Sequence, residues 1–121
     1  MYNNSYGSGC HLNISTSKTR NKKNGEEHIK NLIEMLKKDH KDHMLIYSKN
    51  NKLRLNGRNN VPDHNFTAGI AGRNCSIRIP LITHLNKSGY IEDRRPGGDI
   101  NPYLLVNTYL DTLDKLEVKK E

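Results

Sequence analysis

Four arginines are the side chains of this sequence best suited to binding an anion. Two of them, Arg78 and Arg94, lie in segments where polar and apolar residues alternate. Because alternate residues of a strand point to opposite faces of a sheet, we expect both guanidinium groups on the polar face. A guanidinium donates two parallel hydrogen bonds to a phosphate or a carboxylate. Any single arginine is more often a solvated surface residue, so the hypothesis rests on the whole set: Arg54, Arg73, Arg78 and Arg94.

A histidine and a glutamate could add a divalent metal to this surface. His11 lies on the same predicted strand face as Asn13 and Ser15, and Glu92 lies on the same face as Arg94. An imidazole and a carboxylate are donors that hard or borderline divalent metals accept. Two donors are a weak signal, because a lone strand histidine is more often structural than a ligand.

The remaining histidines and the cysteines show no ligand spacing. His40 and His43 are expected to end a helix, where an imidazolium suits the helix dipole. Cys10 and Cys75 are far apart and form no CxxC pattern, which disfavours a disulfide framework and a structural zinc site. The sequence also has no P-loop, no GxGxxG motif and no Ser/His/Asp order.

Composition restricts the chain to one modest domain. It has 121 residues, of which 33% are hydrophobic and 27% are charged, with a formal net charge of +7. No run of about 18 apolar residues and no signal-peptide pattern occurs, which favours a cytoplasmic location and disfavours a membrane. The charge raises nucleic acid as a partner, but 16 asparagines against two alanines indicate A/T-rich codons. Because no RNA-binding aromatic motif appears either, nucleic acid is disfavoured.

Hydrophobic periodicity predicts the elements that must position these side chains. Strands are predicted over 10–15, 44–47, 76–79 and 90–94, and helices over 25–40 and from 102 onward. Residues 53–63 are expected to form a mobile polar loop, and 81–89 a connector.

Capping signals and one apolar stripe refine the two predicted helices. Asn24 and Glu27 indicate a capping box for the first helix, and Asn101 is expected to cap the last. The stripe predicted on the last helix consists of Val106, Tyr109, Leu110 and Leu113.

Three ordered blocks of the sequence are more specific than these patterns. They are GSGCHLNIST over 7–16, NFTAGIAGRNCSIRIP over 65–80 and GYIEDRRP over 89–96. Together they closely resemble the C-terminal catalytic blocks of eukaryotic-type glutamine synthetase. The resemblance covers nearly the whole chain but only about the last third of a family member.

The resemblance implies an ATP-dependent ligase that joins ammonia to L-glutamate through γ-glutamyl phosphate. It implies an α+β fold with an antiparallel sheet flanked by helices, the C-terminal part of a synthetase catalytic domain. The implied cofactors are ATP and Mg or Mn. The implied partners are L-glutamate, ammonia and ATP, in a homo-oligomer or a hetero-oligomer with a complete synthetase.

Site roles follow from the resemblance position by position. The implied metal ligands are His11 and Glu92. The implied nucleotide contacts are Asn13, Ile14, Ser15, Arg73, Arg78, Tyr90, Ile91 and Glu92. The implied glutamate contacts are Asn4, Ser5, Arg54, Arg73 and Arg94, of which Arg73 and Arg94 are the catalytic pair.

Departures from the family pattern bear on activity. The family's other metal-binding glutamates lie upstream of the block that holds His11, and its flap glutamate has no counterpart in Gly57-Arg58-Asn59-Asn60. Residues 1–121 are therefore expected to form a partial catalytic domain, without the N-terminal β-grasp domain and the first part of the catalytic domain. A lone chain of this kind is expected to be impaired.

Three hypotheses remain open on the sequence. The first is a partial glutamine synthetase that keeps part of the ATP, glutamate and metal site. The second is a non-catalytic protein that associates with complete synthetase oligomers. The third, a nucleic-acid-binding module, rests on the net charge and on a basic cluster of Lys18, Arg20, Lys22 and Lys23.

Overall fold

A computed structural model of the chain describes residues 9–47, 65–72 and 74–119. The strands are β1 (Leu12–Ile14), β2 (Ala68–Ile70), β3 (Ile77–Ile79) and β4 (Ile91–Asp93). The helices are α1 (Gly25–Lys38), α2 (His40–Tyr47), α3 (Leu81–Asn86) and α4 (Pro102–Lys119). The strands form one sheet in the order β1-β4-β3-β2, so the predicted α+β class is confirmed.

The sheet is mixed, which corrects the expectation of a purely antiparallel one. β4 runs antiparallel to both β1 and β3, whereas β2 and β3 are parallel. Strand β3 begins level with the residue before β2, where the amide of Ile77 donates to the Thr67 carbonyl at 3.0 Å. At the other end the amide of Ala71 donates to the Ile79 carbonyl at 2.8 Å. A loop that restarts the next strand at the beginning of the previous one makes the pair parallel.

The core lies between one face of the sheet and helices α1, α2 and α4. Burying an aliphatic side chain of this kind contributes about 1.5–3 kcal/mol each. The helix α1 supplies residues at the three-to-four spacing that its periodicity predicts. The buried apolar residues of this core are Ile29, Leu32, Leu36, Tyr47, Ile77, Ile91, Ile100, Leu105 and Tyr109.

Residues 44–47 belong to a helix, so the prediction of a short strand there is wrong. The helix α2 follows α1 after a break at Asp39. Its buried residues are His40, His43 and Tyr47, which are spaced by three and four and therefore lie on one helical face. Two of these three inward residues are polar, so a four-residue apolar run could not reveal the helical period.

Helix ends agree in part with the sequence. Helix α1 begins at Gly25 as predicted but ends at Lys38, and the Asn24 side chain makes no capping hydrogen bond, so the capping box is absent. The Asn101 side chain caps α4 as predicted, accepting from the amide of Tyr103 at 2.9 Å. The segment 81–89, expected as a connector, contains the short helix α3.

The buried face of α4 is rotated from the predicted stripe. Val106 and Leu110 are 53% and 51% exposed, whereas Leu105 and Tyr109 are buried. Thr112 is buried as well, because its hydroxyl donates to Asp39 at 2.9 Å. The buried face of α4 therefore combines apolar core residues with a polar contact to Asp39. Among the described residues, no helix combines the length and apolarity that crossing a bilayer requires.

Candidate functional site

One row of residues crosses the sheet on the face opposite the core. In the strand register Asn13 lies opposite Glu92, Arg78 lies opposite Glu92, and Gly69 lies opposite Arg78. Residues directly opposite each other share a face. The neighbouring position Ile91 is buried in the core, so the row faces away from it. The two strands predicted to present charge to one side therefore do so next to each other.

His11 and Glu92 meet on this face. The His11 Nδ1 and Glu92 Oε1 atoms are 2.8 Å apart, and the side chains are 43% and 16% exposed. An imidazole nitrogen and a carboxylate oxygen are suitable donors for Mg or Mn, so their chemistry fits such a metal. Within residues 9–47, 65–72 and 74–119, no group of three His, Cys, Asp or Glu side chains could hold a metal ion. The described residues thus offer two donors.

Arg94 lies beside this pair. Its Nε is 3.8 Å from Glu92 Oε1, and its Nη1 donates to the Gly72 carbonyl at 3.2 Å. The Nε atoms of Arg94 and Arg78 are buried and have no hydrogen-bond partner among the described residues. A buried donor left without an acceptor costs about 1–3 kcal/mol, more when charged. Two such guanidinium nitrogens, one of them beside the Glu92 carboxylate and the other on the residue opposite Glu92, make an anionic oxygen a fitting ligand for this face.

The loop that Arg94 contacts is packed tightly. The Sγ of Cys75 sits against Gly69 and Gly72, where an added Cβ would lie 2.7 and 2.6 Å from the sulfur. A Cβ at either position fits only if the Cys75 sulfur moves. This packing holds the Gly72 carbonyl where Arg94 reaches it.

The other residues implied by the resemblance are distributed as follows. The Ser15 hydroxyl accepts a hydrogen bond from Arg20 at 2.7 Å, and Tyr90 is exposed. Ile14 pairs with Ile91 across the strands, and both pack on the core side, so on the opposite face they offer only backbone. The residues that lie outside the described ones are Asn4, Ser5, Arg54 and Arg73, together with the flap segment 57–60.

Behind the row lies a buried ion pair that the sequence analysis missed. Asp93 and Arg95 are fully buried, with Arg95 Nη2 2.8 Å from Asp93 Oδ2 and Arg95 Nε 2.9 Å from Asp93 Oδ1. Burial raises the pKa of the Asp93 carboxyl, but the Arg95 charge together with hydrogen bonds from Arg95 and Tyr109 outweighs burial, so the net shift is downward. The alternating pattern could have revealed this pair. If Tyr90, Glu92 and Arg94 lie on one face of the strand, the charged residues Asp93 and Arg95 must lie on the other.

Two histidines complete this buried network. Arg95 Nη1 is 3.0 Å from His40 Nδ1, and Arg95 Nη2 is 3.1 Å from His43 Nδ1. Since a guanidinium only donates, both Nδ1 atoms must accept and carry no proton. Burial, and then the Arg95 charge, lower the pKa of His43 to about 4. The expectation of helix-ending imidazolium ions is therefore wrong for His43, which burial keeps neutral.

Tyrosine hydroxyls and a second carboxylate border the network. Burial first, and Asp93 second, raise the pKa of Tyr47 and of Tyr109, so both hydroxyls keep their protons and donate to Asp93. At Asp39, burial raises the pKa of the carboxyl, but hydrogen bonds from Lys115 and Thr112 outweigh burial and lower the pKa overall. The network therefore ties the sheet to α2 and α4.

Comparison with known proteins gives the chain its relatives. No protein-family model matches it. It is 42% identical over 108 residues to a glutamine synthetase of Yarrowia lipolytica, covering 88% of this chain and 29% of the relative. It is 38% identical over 120 residues to a glutamine synthetase of Saccharomyces cerevisiae, covering 95% of this chain and 32% of the relative.

A plant relative agrees with the fungal ones. The chain is 42% identical over 107 residues to a cytosolic isozyme of glutamine synthetase from Pinus sylvestris, covering 88% of this chain and 30% of the relative. The chain therefore spans less than a third of the length of the relatives it matches. By sequence and by fold class, the chain matches a C-terminal portion of a eukaryotic-type glutamine synthetase.

Proposed function

We propose that this chain contributes one side of a glutamine synthetase site, which joins ammonia to L-glutamate at the expense of ATP through γ-glutamyl phosphate. The observation that carries the proposal is the row across the sheet, in which Glu92 lies between Asn13 and Arg78. His11 and Arg94 approach the same carboxylate at 2.8 and 3.8 Å. Imidazole, carboxylate and guanidinium groups on one face suit a metal, a phosphate and an amino-acid carboxylate together.

The arginines would stabilise the negative charge of the transferred phosphoryl group. Phosphoryl transfer depends on positioning and on charge stabilisation more than on covalent chemistry by the protein. In the proposal Arg78 binds nucleotide phosphates, Arg94 binds glutamate, and Arg73 contacts both. The Nε atoms of Arg78 and Arg94 have no hydrogen-bond partner among the described residues, which supports an anionic ligand as their acceptor.

His11 and Glu92 would hold a divalent metal, Mg or Mn. When bound, the metal would add positive charge next to the phosphate oxygens and so lower the barrier to transfer. Asn13, Ser15 and Tyr90 would line the nucleotide nearby, with the backbone of Ile14 and Ile91. Because two donors alone bind such metals weakly, we expect little turnover from the 121-residue chain by itself.

A second candidate function is non-catalytic association with complete glutamine synthetase oligomers. It is favoured by large apolar side chains that stand exposed on α3 and on the outer face of α4. The most exposed of them are Leu81, Ile82 and Leu85 on α3 and Tyr103, Val106 and Leu110 on α4. The relative from Pinus sylvestris is named a cytosolic isozyme, and for that reason we propose a cytoplasmic location for this chain.

Titration calorimetry tests the first candidate. We expect ADP with Mn²⁺ and a phosphinothricin-type inhibitor to bind the wild-type chain and to bind Arg78→Gln at least tenfold more weakly, since a charge-assisted hydrogen bond contributes about 1.5–3 kcal/mol. Lys30→Gln removes the same charge on exposed α1 and serves as the matched control. Absence of metal-dependent heat at millimolar ligand would refute the retained site.

Co-expression with a complete glutamine synthetase tests the second candidate. Association predicts that the chain co-purifies with the complete enzyme and changes its specific activity. Substituting Leu110→Lys on the exposed face of α4 should then reduce the amount recovered. If neither co-purification nor a change in activity is found, the association hypothesis is wrong.

A further inference from the structure

Strand β4 and the residues after it carry charged side chains on both faces of the sheet. Glu92 and Arg94 lie on the face of the candidate site, at 16% and 14% side-chain exposure. Asp93 and Arg95 alternate with them on the core side and are completely buried. Four consecutive charged residues therefore divide into a pair that faces a ligand surface and a pair that faces the interior.

The buried carboxylate has all of its oxygens engaged. Asp93 Oδ1 accepts from the backbone amide and the Nε of Arg95, at 3.0 and 2.9 Å. Asp93 Oδ2 accepts from Arg95 Nη2 at 2.8 Å and from the Tyr47 and Tyr109 hydroxyls. Donors from Arg95 just after β4, from α2 and from α4 therefore converge on one side chain.

These contacts fix the backbone on both sides of Arg94. The Asp93 side chain bonds to the amide of Arg95, which closes a short ring around Arg94. The amide of Arg94 in turn donates to the Ser76 carbonyl at 2.9 Å. Arg94 has little freedom to turn, so its guanidinium is held near both Glu92 and the Gly72 carbonyl.

Stability alone is a poor explanation for a pair buried this deeply. Removing two charges from water is costly, and an apolar pair of similar volume is often as stable or more stable. A buried ion pair can instead serve to specify one arrangement of the chain.

We propose that the Asp93–Arg95 pair is the positioning element of the site: it holds Glu92 and Arg94 in the geometry that the ligands require. This inference rests on the proposed function, because it concerns the residues assigned to metal and glutamate. Neither Asp93 nor Arg95 touches a ligand in this account. Both act through the strand that they anchor.

The main test replaces both charges by apolar residues, in Asp93→Leu with Arg95→Met, within the full 121-residue chain. A first readout is the affinity for ADP with Mn²⁺, which we expect to fall at least tenfold. A second readout needs no ligand: the change in the His11 ring NMR signals that Glu92→Gln causes at a fixed pH. We expect that change to be less than half as large in the double variant as in the wild-type background.

Two further variants separate positioning from a general loss of stability. Ile29→Val removes one methylene from the core on α1 and should leave both readouts unchanged. Tyr47→Phe with Tyr109→Phe removes two donors to Asp93 at nearly constant side-chain volume. If the apolar double variant does not fold, this tyrosine variant tests the positioning role in its place. We expect the tyrosine variant to weaken ADP binding about threefold or more.

Each outcome decides one point. If the folded variants bind ADP as tightly as wild type and keep the full Glu92→Gln effect on His11, the positioning role is overturned while the proposed function stands. If the wild-type chain binds no ADP, the proposed function fails. The His11 signal alone then decides whether the buried pair positions Glu92.

Discussion

Lowering the pH from 7 to 5 should destabilise the fold through one buried imidazole. His43 is 3% exposed, accepts from Arg95 at Nδ1 and lies 3.1 Å from the Thr112 hydroxyl through Nε2. A proton added to Nδ1 would face the Arg95 guanidinium and break that hydrogen bond. The folded chain therefore keeps His43 neutral at pH values where the unfolded chain protonates it.

The size of the effect follows from the two pKa values of His43. Its pKa falls from 6.5 to about 4 on folding, and one pKa unit corresponds to about 1.4 kcal/mol. The stabilising contribution is complete above pH 6.5, decreases as the pH falls from 6.5 to about 4, and is constant below that. Between pH 7 and pH 5 the loss is about 2 kcal/mol. Asp39 and Asp93, whose pKa values are lowered, add their losses only at more acidic pH.

Urea unfolding followed by circular dichroism at pH 7 and pH 5 measures this loss. The matched variant His43→Gln keeps a side chain that can accept from Arg95 and donate to Thr112 but does not titrate. This variant should be less stable than wild type at pH 7. Between pH 7 and pH 5, however, its free energy of unfolding should fall by about 2 kcal/mol less than that of wild type. Equal losses in the two proteins would refute the assignment of the acid sensitivity to His43.

Three further predictions concern packing and capping. Gly72→Ala should destabilise the fold by about 1–3 kcal/mol and lower the thermal midpoint, because the new Cβ would lie 2.6 Å from Cys75 Sγ. Adding Cys75→Ala should restore most of the lost stability, and a double variant as unstable as Gly72→Ala would contradict the contact. Asn101→Ala should cost about 1 kcal/mol in urea unfolding through loss of the α4 cap, and an unchanged midpoint would argue against that cap. Leu105→Ala should lower the free energy of unfolding by about 2–5 kcal/mol, whereas Leu110→Ala on the exposed face should change it by no more than about 0.5 kcal/mol. A larger loss for Leu110→Ala than for Leu105→Ala would support the stripe predicted from sequence.

Local patterns predicted the elements whose signals are complete within a few residues. The alternation over 76–79 and 90–94 is a two-residue period, and both segments are strands with Arg78 and Glu92 on one face. The periodicity of Ile29, Leu32 and Leu36 marks α1 for the same reason. Asn101 caps α4 because its acceptor acts within three residues.

Features that depend on distant contacts could not be predicted in this way. Helix α2 is specified by His40, His43 and Tyr47 packing on the Asp93–Arg95 pair, and such polar residues do not register in a hydrophobic pattern. The parallel pairing of β2 with β3 depends on where β3 begins relative to β2, and no periodicity of the sequence encodes that position.

The candidate site was predictable in its residue types and its face but not in its contacts. Alternation placed Glu92 and Arg94 on one face, and the residue types, and then the resemblance to a known family, paired His11 with Glu92 as metal donors. The 2.8 Å approach of His11 to Glu92 joins segments about 80 positions apart and follows from the pairing of β1 with β4. The role of Asp93 and Arg95 required the interior to be seen.

Paramagnetic line broadening by Mn²⁺ and ADP tests the central claim most directly. The account predicts that substoichiometric Mn²⁺ in the presence of ADP selectively broadens the backbone amide signals of Asn13, Arg78 and Glu92, and that Glu92→Gln abolishes the broadening. The amide of Lys30 on α1 should stay sharp in the same sample. Uniform broadening, or broadening that Glu92→Gln leaves unchanged, would contradict a metal and nucleotide site on this face of the sheet.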